Sequence, residues 1–316
     1  MFNGETFLSK ATKKNEKKEN LKDFSQKNIG GAKFRNFIEI FMKYVFLFCA
    51  SVAILSVIII TVFIFIKGSP AIFEIGVLNF IFGKVWSPSA NQFGILSMII
   101  ASIYATLGAI LLGVPIGIFT AVFLAEIAPS WAKKIIRPAV ELLAGIPSVV
   151  YGFFGLLVFV PLIDKIFKNG GNSLLAAILI LSIMILPTIV SISESAINAV
   201  PKEYKEGSLA LGASHVHTIF KVILPAAKSG ILAATVLGIG RAMGETMAVI
   251  LVAGNTAMIP NAVTDRVRTM TSNIALEMSY ASGLQEKALF ATGVILFIFI
   301  MGLNLILNSV TNKVGE

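Results

Sequence analysis

Residues Lys202 to Pro225, KEYKEGSLALGASHVHTIFKVILP, decide how the rest of this chain is read. The stretch is polar, favours helix and is about one helical hairpin long. Apolar runs long enough to cross a bilayer flank it on both sides. Glu206 precedes Gly212 by six residues, and Leu224-Pro225 close the segment. His215 and His217 are the only histidines, and two positions apart on a helix they point to different faces, which speaks against a metal pair. No nucleophile stands beside a base. Taken alone, the stretch is an amphipathic loop held between two membrane spans.

Composition sets the class. The 316 residues are 56% hydrophobic and 14% charged, with a mean hydropathy of +0.86. A soluble domain carries roughly a quarter charged residues, so a membrane protein is the class that fits. The net charge of +9 does not point to nucleic acid, because the basic residues sit in loops beside apolar spans. Cys49 is the only cysteine and lies in an apolar run, which excludes an internal disulfide or a cysteine metal site. Residues 1–43 are polar and basic, without the early apolar core of a cleavable signal peptide. Their tract KATKKNEKKENLKDFSQKN is expected to be a disordered or loosely surface-bound tail suited to anionic headgroups.

About 20 apolar residues cross a bilayer core, which gives six spans near 44–66, 93–127, 139–162, 173–192, 229–253 and 288–307. The chain divides accordingly into the tail (1–43), a first span with an external interfacial segment (44–92), and a core holding the other five spans (93–311). The second span is too long for one straight crossing. Gly113, Pro115 and Gly117 suggest either one long tilted helix or a helix plus an interfacial piece. Pro147 is expected to kink the third span, with Ser148 bonding a freed carbonyl. Of the 26 Lys and Arg, 18 fall on the side of the tail and the 202–225 insert, and 7 on the other. That excess puts both termini and the insert on the cytoplasmic side of a multi-pass cell-membrane protein.

One charged pair falls at membrane depth. Span five reads SGILAATVLGIGRAMGETMAVILVA, with Arg241 near its middle and Glu245 four residues on. A charge there costs about 3 kcal/mol, so it requires a partner or water. On a continuous helix Glu245 shares the face of Arg241 and can pair with it. Gly238, Gly240 and Gly244 thin the helix around the pair. Either the pair locks a buried interface, or the guanidinium lines a path for an anion. The planar fork of arginine suits phosphate or sulfate. Glu126, Glu141, Asp164 and Glu194 lie at span ends, where headgroup water reaches them.

The insert resembles the coupling loop of importer-type ABC transporter permeases, in which E-A-A, three residues, Gly, nine residues and I-x-L-P dock on an ATP-binding subunit. Glu206 and Gly212 match, Gly207 and Ser208 replace the two alanines, and Leu224 and Pro225 fill the ending. Two further stretches, AGIPSVVYGFFGL (144–156) and GRAMGETMAV (240–249), resemble phosphate-importer permeases of the Pst system. Met247-Ala248-Val249 is closer to the PstC type than to the PstA type. The resemblance implies an all-α, six-helix type I ABC importer permease fold. It also implies a PstA-like homologous permease subunit, two PstB-like ATP-binding subunits and a PstS-like external phosphate-binding protein as partners. Arg241 and Glu245 would lie on the substrate path. No Gly-rich phosphate loop with a following Lys-Ser/Thr occurs, so ATP and magnesium are expected on the partner subunits, with no cofactor or metal on this chain and no enzyme activity of its own. Importers of sulfate or molybdate, and a secondary transporter working without ATP, are the competing readings.

Overall fold

The computed structural model describes the backbone of residues 5–315 and the side chains of residues 38–305 and Ser309. Residues 1–63 and 64–316 are separate compact units. The expectation for the 1–43 tail falls mostly outside the described side chains.

In the first unit, residues 38–63 belong to helix α1 (Glu5–Ile75). Phe46, Leu47, Phe48, Ile54 and Ile58 are all exposed, as a lipid-facing span requires. Ser51, Ser56 and Thr61 each return their hydroxyl to the carbonyl four residues earlier at 2.8 Å, so none of these three hydroxyls is left bare in hydrocarbon.

In the second unit, α2 (Val77–Phe82) leads into a two-residue hairpin, β1 (Trp86–Ser87) against β2 (Gln92–Phe93), with Trp86 opposite Phe93. Helix α3 (Leu96–Val122) follows and continues through a π-helical turn at Phe123–Ile127. The long second span is therefore one 32-residue helix. Next come α4 (Ser130–Gly145), α5 (Ser148–Phe154), a second π turn at Gly155–Phe159, and α6 (Val160–Phe167). Helix α7 (Leu174–Asn198) follows. The insert forms α8 (Lys202–Ala210), α9 (His215–Thr218), a third π turn at Ile219–Ile223 and α10 (Leu224–Ala226). Helices α11 (Lys228–Gly244), α12 (Met247–Val252), α13 (Met270–Glu277) and α14 (Leu284–Gly315) complete the chain. Among the described residues, five helices are long and apolar enough to cross a membrane, six if 215–226 and 228–244, bent by 70°, count as one broken span.

Helix α7 is the centre: 61% of its apolar window is buried, against at most 33% for any other candidate span. The sequence of α3 explains how it packs there. Ala101, Ala105, Ala109, Gly113, Gly117 and Ala121 recur every fourth residue and are all buried. That stripe lets two backbones approach closely where no hydrophobic driving force separates helix from lipid. A Cβ on Gly113 or Gly117 would come within 2.7 Å of Ile185 or Ile189 of α7.

Two expected spans are redrawn. Residues 139–147 do not cross with the third span. Residues 139–145 belong to α4, which ends at Gly145, and Ile146-Pro147 link it to the next helix. Pro147 starts a new helix instead of kinking an old one, so the crossing runs Ser148–Phe167. The carbonyl at the end of α4 is met by Tyr151, whose hydroxyl donates to Leu143 O at 2.7 Å. Span five is also interrupted: Glu245 is extended (φ −69°, ψ 132°), and the helix resumes only at Met247.

Candidate functional site

The insert is a helical hairpin whose bend is written into its backbone. Gly212 has φ +84°, the left-handed region, and an added Cβ there would meet nothing within 4 Å. Glycine is required for conformation alone, since any L side chain is strained at that φ. Around the bend, Leu211 N donates to Gly207 O at 3.2 Å, Gly212 N to Leu209 O at 2.9 Å and Ala213 N to Ser208 O at 3.2 Å. Across the hairpin the hydroxyls of Ser208 and Thr218 lie 2.9 Å apart. Ser208, a departure from the family's alanine, thus ties α8 to α9. Ser214 caps α9 by accepting from His217 N at 3.2 Å. Among the described residues no group of histidine, cysteine and carboxylate side chains could hold a metal, and the two histidines form no such site.

The insert's outer surface is apolar out of proportion to its composition. Leu211 is 90% exposed, and Tyr204, Val216 and Phe220 are also exposed. Behind it, Glu206 lines a cavity of about 360 Å³ with Glu126, Lys202, Lys205, Leu209 and Ile223. Leu224 and Pro225 sit where the π turn passes into α10 at the 70° bend before α11. Glu206, Gly207, Ser208, Gly212, Leu224 and Pro225 therefore share one compact element.

Arg241 and Glu245 lie at the other break. Gly244 ends α11, so the two side chains do not follow one helical face, and no ion pair forms between them. Arg241 is exposed and donates weakly to Thr188 Oγ1 of α7 at 3.4 Å. Glu245 turns instead to the start of α12, accepting from Ala248 N at 3.3 Å, and its carbonyl accepts from Thr271 Oγ1 at 3.0 Å. The glycines divide by role. Gly238 packs against Ile189, whereas Gly240 and Gly244 face open space. The two stretches that carry the Pst resemblance touch: a Cβ on Gly152 would come within 2.9 Å of Ala248 Cα, and one on Gly155 within 2.8 Å of Val252. The arrangement presents a guanidinium without a carboxylate partner among the described residues, on an open, glycine-lined surface.

Several contacts escaped sequence reasoning. Glu126 pairs with Lys205 of α8, and Arg137 of α4 pairs with Glu194 of α7, whose side chain is only 8% exposed. That contact holds the Arg137 pKa above its ordinary value. Glu194 and Glu126 are thus bound partners, where a position near headgroup water was expected to explain them. At the hairpin end, Glu277 gathers Trp86 Nε1 at 2.9 Å, Arg268 Nη1 at 2.8 Å and Gln285 Nε2 at 2.9 Å. Arg137–Glu194, Glu126–Lys205 and Trp86–Glu277 join residues 57 to 191 positions apart and leave no local signal.

A polytopic helical core around one buried helix, with a helical hairpin inserted between its fourth and fifth spans, defines a permease of the importer type. Residues 113–314 match the family described as binding-protein-dependent transport system inner membrane component, and the chain belongs to it. Among curated relatives, the probable ABC transporter permease protein YqgH of Bacillus subtilis (strain 168) is 40% identical, over 88% of this chain and 93% of its own length. The phosphate transport system permease protein PstC of Haemophilus influenzae is 36% identical over 70% and 76%. That of Pasteurella multocida is 34% identical over 84% and 86%. Among solved structures, an inward-facing MetNI methionine ABC transporter chain is similar with TM-score 0.56, 18% identity and 73% and 99% coverage. A bacterial alginate ABC transporter chain gives TM-score 0.58, 16% identity and 83% and 94% coverage. These two likenesses concern the fold.

Proposed function

We propose that this chain is the PstC-type permease subunit of an ATP-driven inorganic phosphate importer and forms the translocation path with a PstA-like homologous subunit. The observation that carries the reading is Arg241: a guanidinium at membrane depth, free of any carboxylate among the described residues, on a surface opened by Gly240 and Gly244. An unpaired charge at that depth costs about 3 kcal/mol and persists where it serves an ion path. The fork geometry of arginine fits a tetrahedral oxyanion. Relatives named for phosphate transport support phosphate over sulfate or molybdate. Glu245 borders the same surface and caps α12.

The insert docks on PstB-like ATP-binding subunits, which hold the ATP and magnesium, through its exposed Tyr204, Leu211, Val216 and Phe220. A PstS-like protein delivers phosphate at the opposite face. Both termini and the insert lie in the cytoplasm, as the distribution of Lys and Arg favours. Nucleotide-driven movement of the insert then exposes the Arg241 surface to one side and the other in turn.

The test is ATP-dependent uptake of radiolabelled phosphate by vesicles holding the assembled subunits, with sulfate and molybdate as competitors. Arg241→Ala is expected to abolish uptake in a complex that assembles and hydrolyses ATP. Arg241→Lys should retain less than about a tenth, because a point charge does not replace the planar fork. Unchanged uptake by Arg241→Ala, or uptake by this chain alone without ATP, would refute the proposal.

A further inference from the structure

Helix α4 is bounded by the same device at both ends. Ala128-Pro129 precedes it and Ile146-Pro147 follows it, and all four residues are extended, with ψ of 130°, 160°, 127° and 140°. A residue before proline is driven out of the helical region, and proline has no N–H to carry a hydrogen-bond ladder onward. The result is a helical segment of 16 residues, about 24 Å long, jointed at either end and carrying Pro138 inside, next to Arg137.

Each joint is held by side chains. At the first, Lys133 Nζ of α4 donates to Ala125 O at 3.3 Å, within the π turn that ends α3. The next residue of that turn, Glu126, pairs with Lys205 of the insert, with side chains 11% and 35% exposed. At the second joint, the buried Tyr151 donates to Leu143 O at 2.7 Å, and the next residue, Gly152, packs against Ala248, whose amide donates to Glu245 Oε1 at 3.3 Å. Between the joints, Ala132, Ile136 and Val140 pack on Leu124, Ala128 and Val190, and Arg137 holds Glu194 of α7. Contacts thus run from α8 of the insert through α4 and α5 to Glu245, four residues from Arg241.

We infer that α4 is a jointed rod that carries movement of the insert to the Arg241 surface, pivoting on the Arg137–Glu194 contact, with Glu126, Lys205 and Tyr151 as its positioning residues. The inference rests on the insert being the element that ATP-binding subunits move, and not on which substrate crosses. Coupling between distant sites travels through such chains of packed side chains, hydrogen bonds and ion pairs.

The experiment uses the complete transporter with Cys49→Ser, spin-labelled at Leu142→Cys near the far end of α4 and Ile298→Cys on α14, both exposed positions. The distance between the labels is measured with and without a non-hydrolysable ATP analogue. It is expected to shift with nucleotide, to stay fixed in Glu126→Gln although ATP hydrolysis continues, and to shift again in the charge swap Glu126→Lys with Lys205→Glu. Uptake per ATP hydrolysed should fall about tenfold in Glu126→Gln and recover in the swap. No shift in the parent protein, a shift that survives Glu126→Gln, or an assembled swap that stays fixed would each overturn the inference. Should the swap not assemble, the Glu126→Gln arm decides. The distance measurement uses no substrate, so failure of the phosphate assignment would show separately, as absent phosphate uptake by the parent transporter.

Discussion

Two glycines of the insert, Gly207 and Gly212, allow the same substitution to be given opposite signs. A Cβ on either would meet nothing within 4 Å, so packing drops out of the comparison and only the backbone remains. Gly207 lies inside α8, where alanine is better than glycine by roughly 0.5–1 kcal/mol. Gly212 sits at φ +84°, where an L residue costs about 1–2 kcal/mol, partly offset by the smaller freedom of alanine in the unfolded hairpin. Gly207→Ala should therefore stabilise the insert, and Gly212→Ala should destabilise it by about 1 kcal/mol net. The two variants differ by about 2 kcal/mol, or roughly thirtyfold in the population of the opened hairpin. Hydrogen exchange of the permease in nanodiscs reads this directly through the amides of Leu211, Gly212 and Ala213, whose acceptors lie within the hairpin. Equal protection in the two variants, or lower protection in Gly207→Ala than in Gly212→Ala, would refute the claim that Gly212 is required for its backbone alone.

Two further substitutions test the frame around the site. Glu277→Gln leaves the Arg268 charge without its carboxylate in a node where Glu277 is 8% and Arg268 20% exposed; a loss of about 3 kcal/mol is expected, read as a lowered thermal midpoint in detergent. Gly152→Ala forces a Cβ to within 2.6 Å of Leu251 and 2.9 Å of the Ala248 backbone, so it should cost about 1–3 kcal/mol by the same measurement. Gly145→Ala, at the end of α4 with open space around it, is the control that should change little.

How much of this was legible in the sequence depended on the range over which each signal acts. Hydropathy located the spans because lipid demands long apolar runs, and the helical hairpin of the insert followed from its polar, helix-favouring composition. The third span was misplaced because α4 carries two apolar stripes. Ala132, Ile136 and Val140 face the core, while Trp131, Ile135 and Leu142 lie exposed, and a hydropathy window adds the two together. The pairing of Arg241 with Glu245 failed for a different reason. Spacing of four places side chains on one face only while the helix continues, and Gly244 ends it. Glycine just before Glu-Thr was the available stop signal. The pairs Lys205–Glu126 and Arg137–Glu194 lay beyond sequence reasoning, since each joins residues that only the packing of α3, α4, α7 and α8 brings together.

The three π turns at Phe123–Ile127, Gly155–Phe159 and Ile219–Ile223 bear on how this chain tolerates change in length. Each holds one residue more than an α turn needs, so losing that residue would leave a continuous helix with all its hydrogen bonds. What would change is phase: everything downstream would rotate by about 100°. In the turn at Gly155–Phe159 such a deletion would swing Val160 and Ile163 out of the core, while Gly152 upstream kept its place against Ala248. A single codon lost there would thus re-aim half a membrane span without breaking it.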